Sequence, residues 1–254
     1  TMLYIVGFGP GGYETMTVEA VRALEDSDLI VGYTTYVDLI RPWFPEKEFL
    51  ATAMKQEKER CLLAIQKEED GRKVALVCSG DSGIYGMASL VYELAARDEA
   101  LMKRIRVIPG VTAAASGGAL LGAPLSHDFL TVSLSDLLTP LEVIKKRIRC
   151  AAQSDTVICI YNPSSRKRGD YLRMACEIAL EYLSPDTVCG YVKNIGREGE
   201  EAAVLTLEEL RDTQVDMFTT VFIGNSHTRN IHGKMVTPRG YRLEEEAAAA
   251  QERT

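Results

Sequence analysis

No apolar run in the sequence approaches the roughly 20 residues that a membrane helix needs. The N-terminus also lacks a basic segment followed by an apolar one. A soluble, cytoplasmic protein with no membrane partner is therefore expected, with Thr1 ahead of Met2 expected to be a tag remnant. The six cysteines (Cys61, Cys78, Cys150, Cys159, Cys176 and Cys189) form no Cys-x-x-Cys pair and have no histidine cluster beside them. Neither a disulfide framework nor a zinc site is legible. Most are expected to be reduced core residues, above all Cys78 and Cys159, which fall in strand-like runs. Only three histidines occur, and no Ser-His-Asp or metal-ligand spacing accompanies them, so no catalytic metal is expected. A positive balance is missing too: 29 lysines and arginines stand against 36 aspartates and glutamates, a net charge of -7. Such a field repels phosphate backbones, which argues against a nucleic-acid partner.

What is present is an ordinary globular composition, 46% hydrophobic and 26% charged over 254 residues. Two domains are expected, because single cores rarely grow past about 250 residues. Apolar strands at 3–6, 29–31, 74–78 and 106–108 alternate with helices starting near Thr17 and at 54–69, which predicts a parallel sheet. In the helix at 54–69, Cys61, Leu62 and Ile65 share an apolar face, and Gly71 stands where a C-cap belongs. A helix rich in small residues is expected at 113–121. These elements make an N-terminal α/β domain over residues 1–125. A strand at 129–133, helices at 141–152 and 171–183, and strands at 156–161, 187–192 and 220–223 make a second α/β domain over 126–241. Residues 242–254 carry almost no apolar stripe and read as a loose tail. The tripeptide Arg168-Gly169-Asp170 is a chance match to an adhesion motif.

Three glycine-punctuated turns follow apolar runs: Gly7-Phe8-Gly9-Pro10-Gly11-Gly12, Ser79-Gly80-Asp81-Ser82-Gly83-Ile84-Tyr85-Gly86, and Pro109-Gly110-Val111-Thr112-Ala113. In a parallel sheet the carboxyl ends of the strands open on one edge, where small molecules usually bind. Gly7, Gly9 and Gly12 satisfy the spacing of a dinucleotide fingerprint, so a nicotinamide-dependent oxidoreductase is one reading. Two requirements of that site are missing. Pro10 interrupts the loop and the next helix starts only near Thr17, and no acidic residue ends the second strand, where Leu29-Ile30-Val31 runs into Gly32-Tyr33-Thr34. The second turn brings backbone close to a ligand while Asp81 offers one negative acceptor, which suits a ribose or a cation. An ordinary Asp-Ser-Gly turn is the plain alternative.

In this order and spacing, the three turns resemble the tetrapyrrole methylase family. Ala123-Pro124-Leu125-Ser126-His127-Asp128-Phe129, Tyr161-Asn162-Pro163-Ser164-Ser165-Arg166 and Phe222-Ile223-Gly224-Asn225-Ser226 are similar to the branch that methylates C-17 of precorrin-3B or cobalt-factor III in cobalamin biosynthesis. The likeness covers residues 2–241. It implies S-adenosylmethionine as methyl donor, S-adenosylhomocysteine as product, and a tetrapyrrole substrate. It also implies two α/β domains with mostly parallel or mixed sheets, a cofactor cleft between them, and a homodimer. Carried over by motif, the cofactor residues are Pro10, Gly80, Asp81, Ile84, Tyr85, Thr112 and Ala113 in the first domain. In the second they are Tyr161, Asn162, Lys193, Asn194, Thr219 and Thr220. The first glycine loop, with Gly9 and Gly11, is associated with the tetrapyrrole. Many relatives have proline where this chain has Ser82, which predicts a less rigid second turn.

Methyl transfer to an electron-rich pyrrole carbon needs mainly positioning. A macrocycle bearing many carboxylates also needs cationic anchors, for which Arg166, Lys167 and Arg168 stand directly after a strand-end turn; a solvated charged loop is the alternative. The C-17 enzymes are associated with contraction of the macrocycle, in which a proton-transferring side chain helps. His127, between Ser126 and Asp128, is the candidate acid or base with Asp128 as its catalytic partner and Ser126 on the substrate side; a structural histidine is the alternative. His227 is a lesser candidate for substrate contact. Competing functions are methylation at another ring position, methylation of a protein or RNA, the oxidoreductase, and a non-catalytic ligand-binding module.

Overall fold

Strands buried on both faces read as continuous apolar runs, and the first sheet is built from five segments, three of them such runs. In the computed structural model, which describes residues 1–243, the strands are β1 (Met2–Gly7), β2 (Leu29–Tyr33), β3 (Glu48–Thr52), β4 (Lys73–Cys78) and β5 (Ile105–Ile108). Their order is β3-β2-β4-β1-β5, and every neighbouring pair is parallel. Alternate residues face opposite sides. Leu3, Ile5, Leu29, Val31, Val74 and Leu76 join one core cluster, whereas Val6, Ile30, Ala75 and Val77 join the other. The helices of this region are α1 (Val18–Asp26), α2 (Thr34–Ile40), α3 (Glu57–Glu69), α4 (Ala88–Ala95) and α5 (Glu99–Met102).

Helix α3 departs from expectation in two ways. It begins at Glu57 because Lys55 has a left-handed φ of 66°. Its inner face also differs: Leu62 is 45% exposed, while Arg60 and Glu68 are buried. Both charges are satisfied by hydrogen bonds. Arg60 donates from Nε to Thr52 Oγ1 (2.7 Å) and from Nη2 to the Ala53 carbonyl (2.9 Å). Glu68 takes a bidentate pair from Arg104, at 2.7 and 3.0 Å. Burial raises the Glu68 pKa, but the Arg104 hydrogen bonds outweigh it and hold the carboxyl below its ordinary value. At the far end Gly71, with φ 94°, follows the C-cap as expected.

The chain divides into two compact units, Thr1–Ser116 with Ile195–Gly199, and the remainder. The division falls inside α6 (Ala113–Leu121), earlier than the residue 125 expected. The far half of that helix packs in the second unit, where the Leu121 methyl groups lie 2.8 and 2.9 Å from the place a Cβ of Gly190 would take.

The second unit contains β6 (Gly122–Ala123), β7 (Phe129–Ser133), α7 (Leu141–Gln153), β8 (Val157–Tyr161), α8 (Tyr171–Leu180), β9 (Val188–Lys193), β10 (Glu201–Thr206), α9 (Leu207–Arg211), β11 (Thr219–Ile223), β12 (Arg229–Ile231) and β13 (Lys234–Val236). Its main sheet, β10-β9-β11-β8-β7, is mixed: β7 and β8 are parallel and the other pairs antiparallel. Strands β12, β13 and β6 form a small third sheet. Ile144 and Ile148 of α7, Ala175 and Ala179 of α8, and Ile158, Ile160, Val221 and Ile223 of the sheet share one core. Truncating one of these fully buried branched side chains to alanine costs about 2–5 kcal/mol. Five of the six cysteines are buried and unpaired and Cys150 is exposed; burial pushes the Cys61 and Cys176 thiols up to about 12 and Cys78 up to about 11. Most of the expected tail, residues 244–254, lies outside the described residues.

Candidate active site

In the first unit the three glycine turns leave β1, β4 and β5, which are adjacent in the sheet, and backbone contacts lock them together. Gly9 and Gly80 exchange both backbone hydrogen bonds, at 3.0 and 2.8 Å. At Gly110 an added Cβ would lie 2.1 Å from the Gly80 carbonyl oxygen and 2.5 Å from that of Gly7. No side chain fits there. Gly80 has φ 69°, a conformation that a Cβ disfavours.

Asp81 clamps this assembly. Its Oδ1 accepts from the Gly83 and Ile84 amides (2.7 and 3.0 Å) and its Oδ2 accepts from the Gly110 amide at 2.9 Å. The carboxylate thus binds its own turn to the third one. Ser82 is fully buried; its Oγ donates to the Ile108 carbonyl at 2.9 Å and its carbonyl accepts from Ala88. The loosening expected from serine in place of proline is offset by that cross-link to the end of β5. Beyond the clamp, Ile84 and Tyr85 are 40% and 52% exposed, and Tyr85 has a φ of 54°. A non-glycine residue held in the left-handed region is a sign of local constraint, often at ligand clamps. Pro10, Gly9, Gly11, Gly80, Asp81, Ile84, Tyr85, Thr112 and Ala113 all lie in these turns or at the N-terminus of α6. The nearby N-terminus of α1 is capped by Thr17, whose Oγ1 accepts from the Ala20 amide at 3.0 Å. It is offset from Gly12 by the short turn Tyr13–Thr15, so the first loop does not aim a helix dipole at a pyrophosphate.

One residue of this edge has no counterpart in the sequence-based expectations. Arg197, from the loop between β9 and β10, is grouped with the first unit. Its Nε donates to the Pro10 carbonyl (3.2 Å) and its Nη2 to Ser79 Oγ (2.9 Å). Gly196 seats against Pro10, where a Cβ would come within 3.1 Å of the proline ring. Burial pulls the Arg197 pKa down, and the nearby Tyr36 counteracts this. The local signal was a fourth glycine-flanked turn, Gly196-Arg197-Glu198-Gly199.

In the second unit the pairing register puts Ser133, Tyr161, Lys193, Thr219 and Glu201 at one edge of the mixed sheet. Asn162 and Asn194 follow β8 and β9 with φ 51° and 50°. Asparagine tolerates this region better than most residues. Asn162 Nδ2 donates to Ser133 Oγ at 2.9 Å. Lys193 is paired with Asp216 at 2.7 Å, a partner not anticipated from the sequence. Burial raises the Asp216 pKa, but hydrogen bonds from Lys193, the Phe218 amide and the Thr219 hydroxyl together hold it below its ordinary value. Tyr161, Asn162, Lys193, Asn194, Thr219 and Thr220 therefore share an edge.

Ser126, His127 and Asp128 do not join them. They precede β7, and Phe129 pairs with Val157 at the start of β8. The five-residue strand that follows, at about 3.3 Å per residue, puts Asp128 about 16 Å from the Tyr161 edge and His127 and Ser126 farther still. His127 Nδ1 accepts from the Asp128 amide at 2.8 Å, and the side chains of both are largely open, at 46% and 88%. The expected acid-base pair is thus an exposed pair on the opposite edge. The physical reason is direction: residues preceding a strand lie at its amino end. His227 follows β11, which runs antiparallel to β8, and falls on that same opposite edge. Of the expected anchors, Arg166 and Lys167 are exposed. Arg168 is committed within the unit, donating to the Leu134 carbonyl at 2.9 Å and to Ser165 Oγ at 3.1 Å.

A match to the tetrapyrrole (corrin/porphyrin) methylases covers residues 2–211. The chain belongs to this family. It is 46% identical over 242 residues to a probable cobalt-factor III C(17)-methyltransferase of Salmonella typhimurium, covering 95% of this chain and all of that one. It is 36% identical over 246 residues to a precorrin-3B C(17)-methyltransferase of a Sinorhizobium species, covering 94% and 96% of the two chains. The chain spans about half the length of some longer relatives. The crystal structure of the methyltransferase CobJ superimposes with a TM-score of 0.85 at 35% identity, covering 93% of this chain and 99% of that one. This tetrapyrrole methylase is an enzyme, a methyltransferase, and its two α/β units are the fold of the family. Enzymes of the family use S-adenosylmethionine. No helix among the described residues is long and apolar enough to cross a membrane.

Proposed function

We propose that the protein methylates C-17 of cobalt-factor III or precorrin-3B in cobalamin biosynthesis. The observation that carries this reading is that relatives named for the C(17) reaction align along nearly the whole chain. S-adenosylmethionine supplies the methyl group, its sulfur–carbon bond breaking as the macrocycle carbon donates the electron pair of the new bond, and leaves as S-adenosylhomocysteine.

The residues of the first-unit edge suit a nucleoside with a sulfonium tail. Ile84 and Tyr85 offer exposed apolar surface, the Gly80 to Tyr85 turn and Thr112–Ala113 offer backbone polar groups, and Asp81 holds that turn in shape. Holding reacting carbons at near-attack distance is worth several kcal/mol, on the order of 7 or more in favourable cases. Tyr161, Asn162, Lys193, Asn194, Thr219 and Thr220 are proposed as further cofactor contacts, and Gly9 and Gly11 as tetrapyrrole contacts, with Arg166 and Lys167 as exposed cationic anchors. A homodimer in the cytoplasm, and contraction of the ring after methylation, belong to the same reading.

The test is incubation with isotopically labelled S-adenosylmethionine and either cobalt-factor III or precorrin-3B, followed by mass spectrometry and carbon NMR of the product. One added methyl group at C-17 is expected. A methyl group at another position, or turnover only with a nicotinamide cofactor, overturns the assignment. Light scattering of the purified protein checks the dimer.

A further inference from the structure

Arg197 stands out among the cations of the first unit. Arg72, Lys73, Arg104 and Arg106 each pair with a carboxylate, at 2.7, 2.6, 2.7 and 2.5 Å. Arg60 spends its donors on Thr52 and Ala53 inside the fold and lies over the Tyr33 ring. Arg197 is half-buried and, among the described residues, has no carboxylate partner. Two of its five N–H groups are engaged, by the Pro10 carbonyl and by Ser79 Oγ. Those two bonds fix the plane of the guanidinium and leave the other three donors to an outside acceptor.

Its position is informative. The two groups it holds belong to the first and second glycine turns, and the Arg197 stem lies 3.7 Å from where a Cβ of Gly11 would be. Two partly exposed tyrosines lie beside it: Tyr36 is near enough to perturb Arg197, packs edge-on against Tyr33 with centroids 5.1 Å apart, and rests from behind on the fully buried Phe8, 5.9 Å away. A planar fork with free donors, beside partly exposed tyrosine rings, fits an anion carried on a large unsaturated ring. The chain as a whole carries a net charge of -7, so a polyanionic ligand must be met by local cations placed for it.

We propose that Arg197 is a specificity-determining residue that takes a side-chain carboxylate of the tetrapyrrole and fixes the macrocycle over the first glycine loop. The inference rests on the methyltransferase reading above and adds to it a residue and a chemical group. A half-buried charge is costly to leave without a partner, and the substrate supplies that partner. Arg197 acts by binding and orienting; no bond to it forms or breaks.

The test compares wild type with Arg197→Met, which keeps the length of the stem but no donor, and Arg197→Lys, which keeps the charge without the fork. Three quantities are read: KM and kcat for cobalt-factor III, the Kd of S-adenosylhomocysteine by calorimetry, and the thermal midpoint. For Arg197→Met, KM is expected to rise about tenfold or more, the loss of one charge-assisted pair, with cofactor Kd within about twofold of wild type. Arg197→Lys is expected to recover part of the loss, and esterification of the macrocycle carboxylates is expected to abolish the difference between wild type and Arg197→Met. An unchanged KM in a folded Arg197→Met protein overturns the proposal, as does a rise confined to the Kd of S-adenosylhomocysteine, which would assign the guanidinium to the cofactor. Should wild type turn over neither cobalt-factor III nor precorrin-3B, the substrate reading fails separately. Fluorescence quenching with uroporphyrin, an octacarboxylate, then decides the matter: equal affinity for wild type and Arg197→Met overturns the anchor, and weakened affinity in the variant supports it.

Discussion

In the first unit the chain turns away from its strands through glycine, and in the second through asparagine. Gly9 and Gly80 carry φ angles of 74° and 69°, Asn162 and Asn194 angles of 51° and 50°. The backbone requirement is the same; the surroundings differ. At the first edge three turns press backbone against backbone, and the space beside Gly110 admits no Cβ. At the second edge there is room for a side chain, and Asn162 uses it to reach Ser133. One edge is therefore a surface of amides and carbonyls braced by Asp81, and the other a row of side chains that includes an ion pair. Where the backbone itself must be presented, glycine is required; where a side chain must be presented, asparagine turns the chain without giving up a polar group.

The contrast can be broken most severely at Gly110. Gly110→Ala forces apart backbone atoms that cannot yield, and a loss of more than about 3 kcal/mol in a urea titration is expected, with S-adenosylhomocysteine binding lost alongside. A near-wild-type midpoint would mean that the turns are less tightly joined than the geometry states. Next in size, Asp81→Ala removes three charge-assisted bonds to backbone amides; about 2–3 kcal/mol of stability and a clear drop in nucleotide affinity are expected. Asp81→Asn keeps an acceptor for Gly83 and Ile84 but turns a donor toward Gly110, so an intermediate loss is expected. Full affinity in a folded Asp81→Ala protein would move the cofactor away from this edge.

At the second edge the expected effects are smaller. Asn162→Val puts a β-branched residue in the left-handed region and is expected to cost about 1–2 kcal/mol. Asn162→Gly relieves the backbone and loses only the bond to Ser133, a change of about 1 kcal/mol or less. If both variants cost the same, the backbone conformation is not what selects asparagine.

The smallest effect concerns pH. The Asp216 carboxyl titrates below its ordinary value when folded, so its contribution is present above the unfolded pKa of about 3.9 and fades as pH falls through the lower folded value. Because Lys193 and Asp216 are 39% and 40% exposed, solvent screening limits the contribution to about 1 kcal/mol or less. Asp216→Asn is expected to flatten the acid limb of a melting-temperature profile below about pH 4, and an unchanged limb would remove the pair from the account of this edge.

The glycine turns were legible because glycine marks backbone geometry directly, and β1, β2 and β4 because strands buried on both sides show no alternation to confuse them. Half-exposed strands carry a weaker mark. β3 and β10, at sheet edges with mixed burial, carry no such apolar run buried on both faces, although the capping box of Thr206 and Glu209 announces α9 just after β10. Periodicity does not give the inner face of α3, because Arg60 and Glu68 are buried by partners at Thr52, Ala53 and Arg104, which lie outside the helix. Asp81 was legible as a site residue but not as the clamp between turns, since its link to Gly110 spans 29 positions. The location of His127 is legible from strand direction, because the strand expected at 129–133 begins just after it and so sets His127 at that strand's amino end.

The attachment of residues 195–199 to the first unit bears on how the protein can be taken apart. A fragment ending at Ser116 would hold every strand of the parallel sheet yet lack the strap that reaches Pro10 and Ser79, so an excised lobe must carry that pentapeptide, grafted through a short artificial linker, if its glycine loops are to keep their native setting.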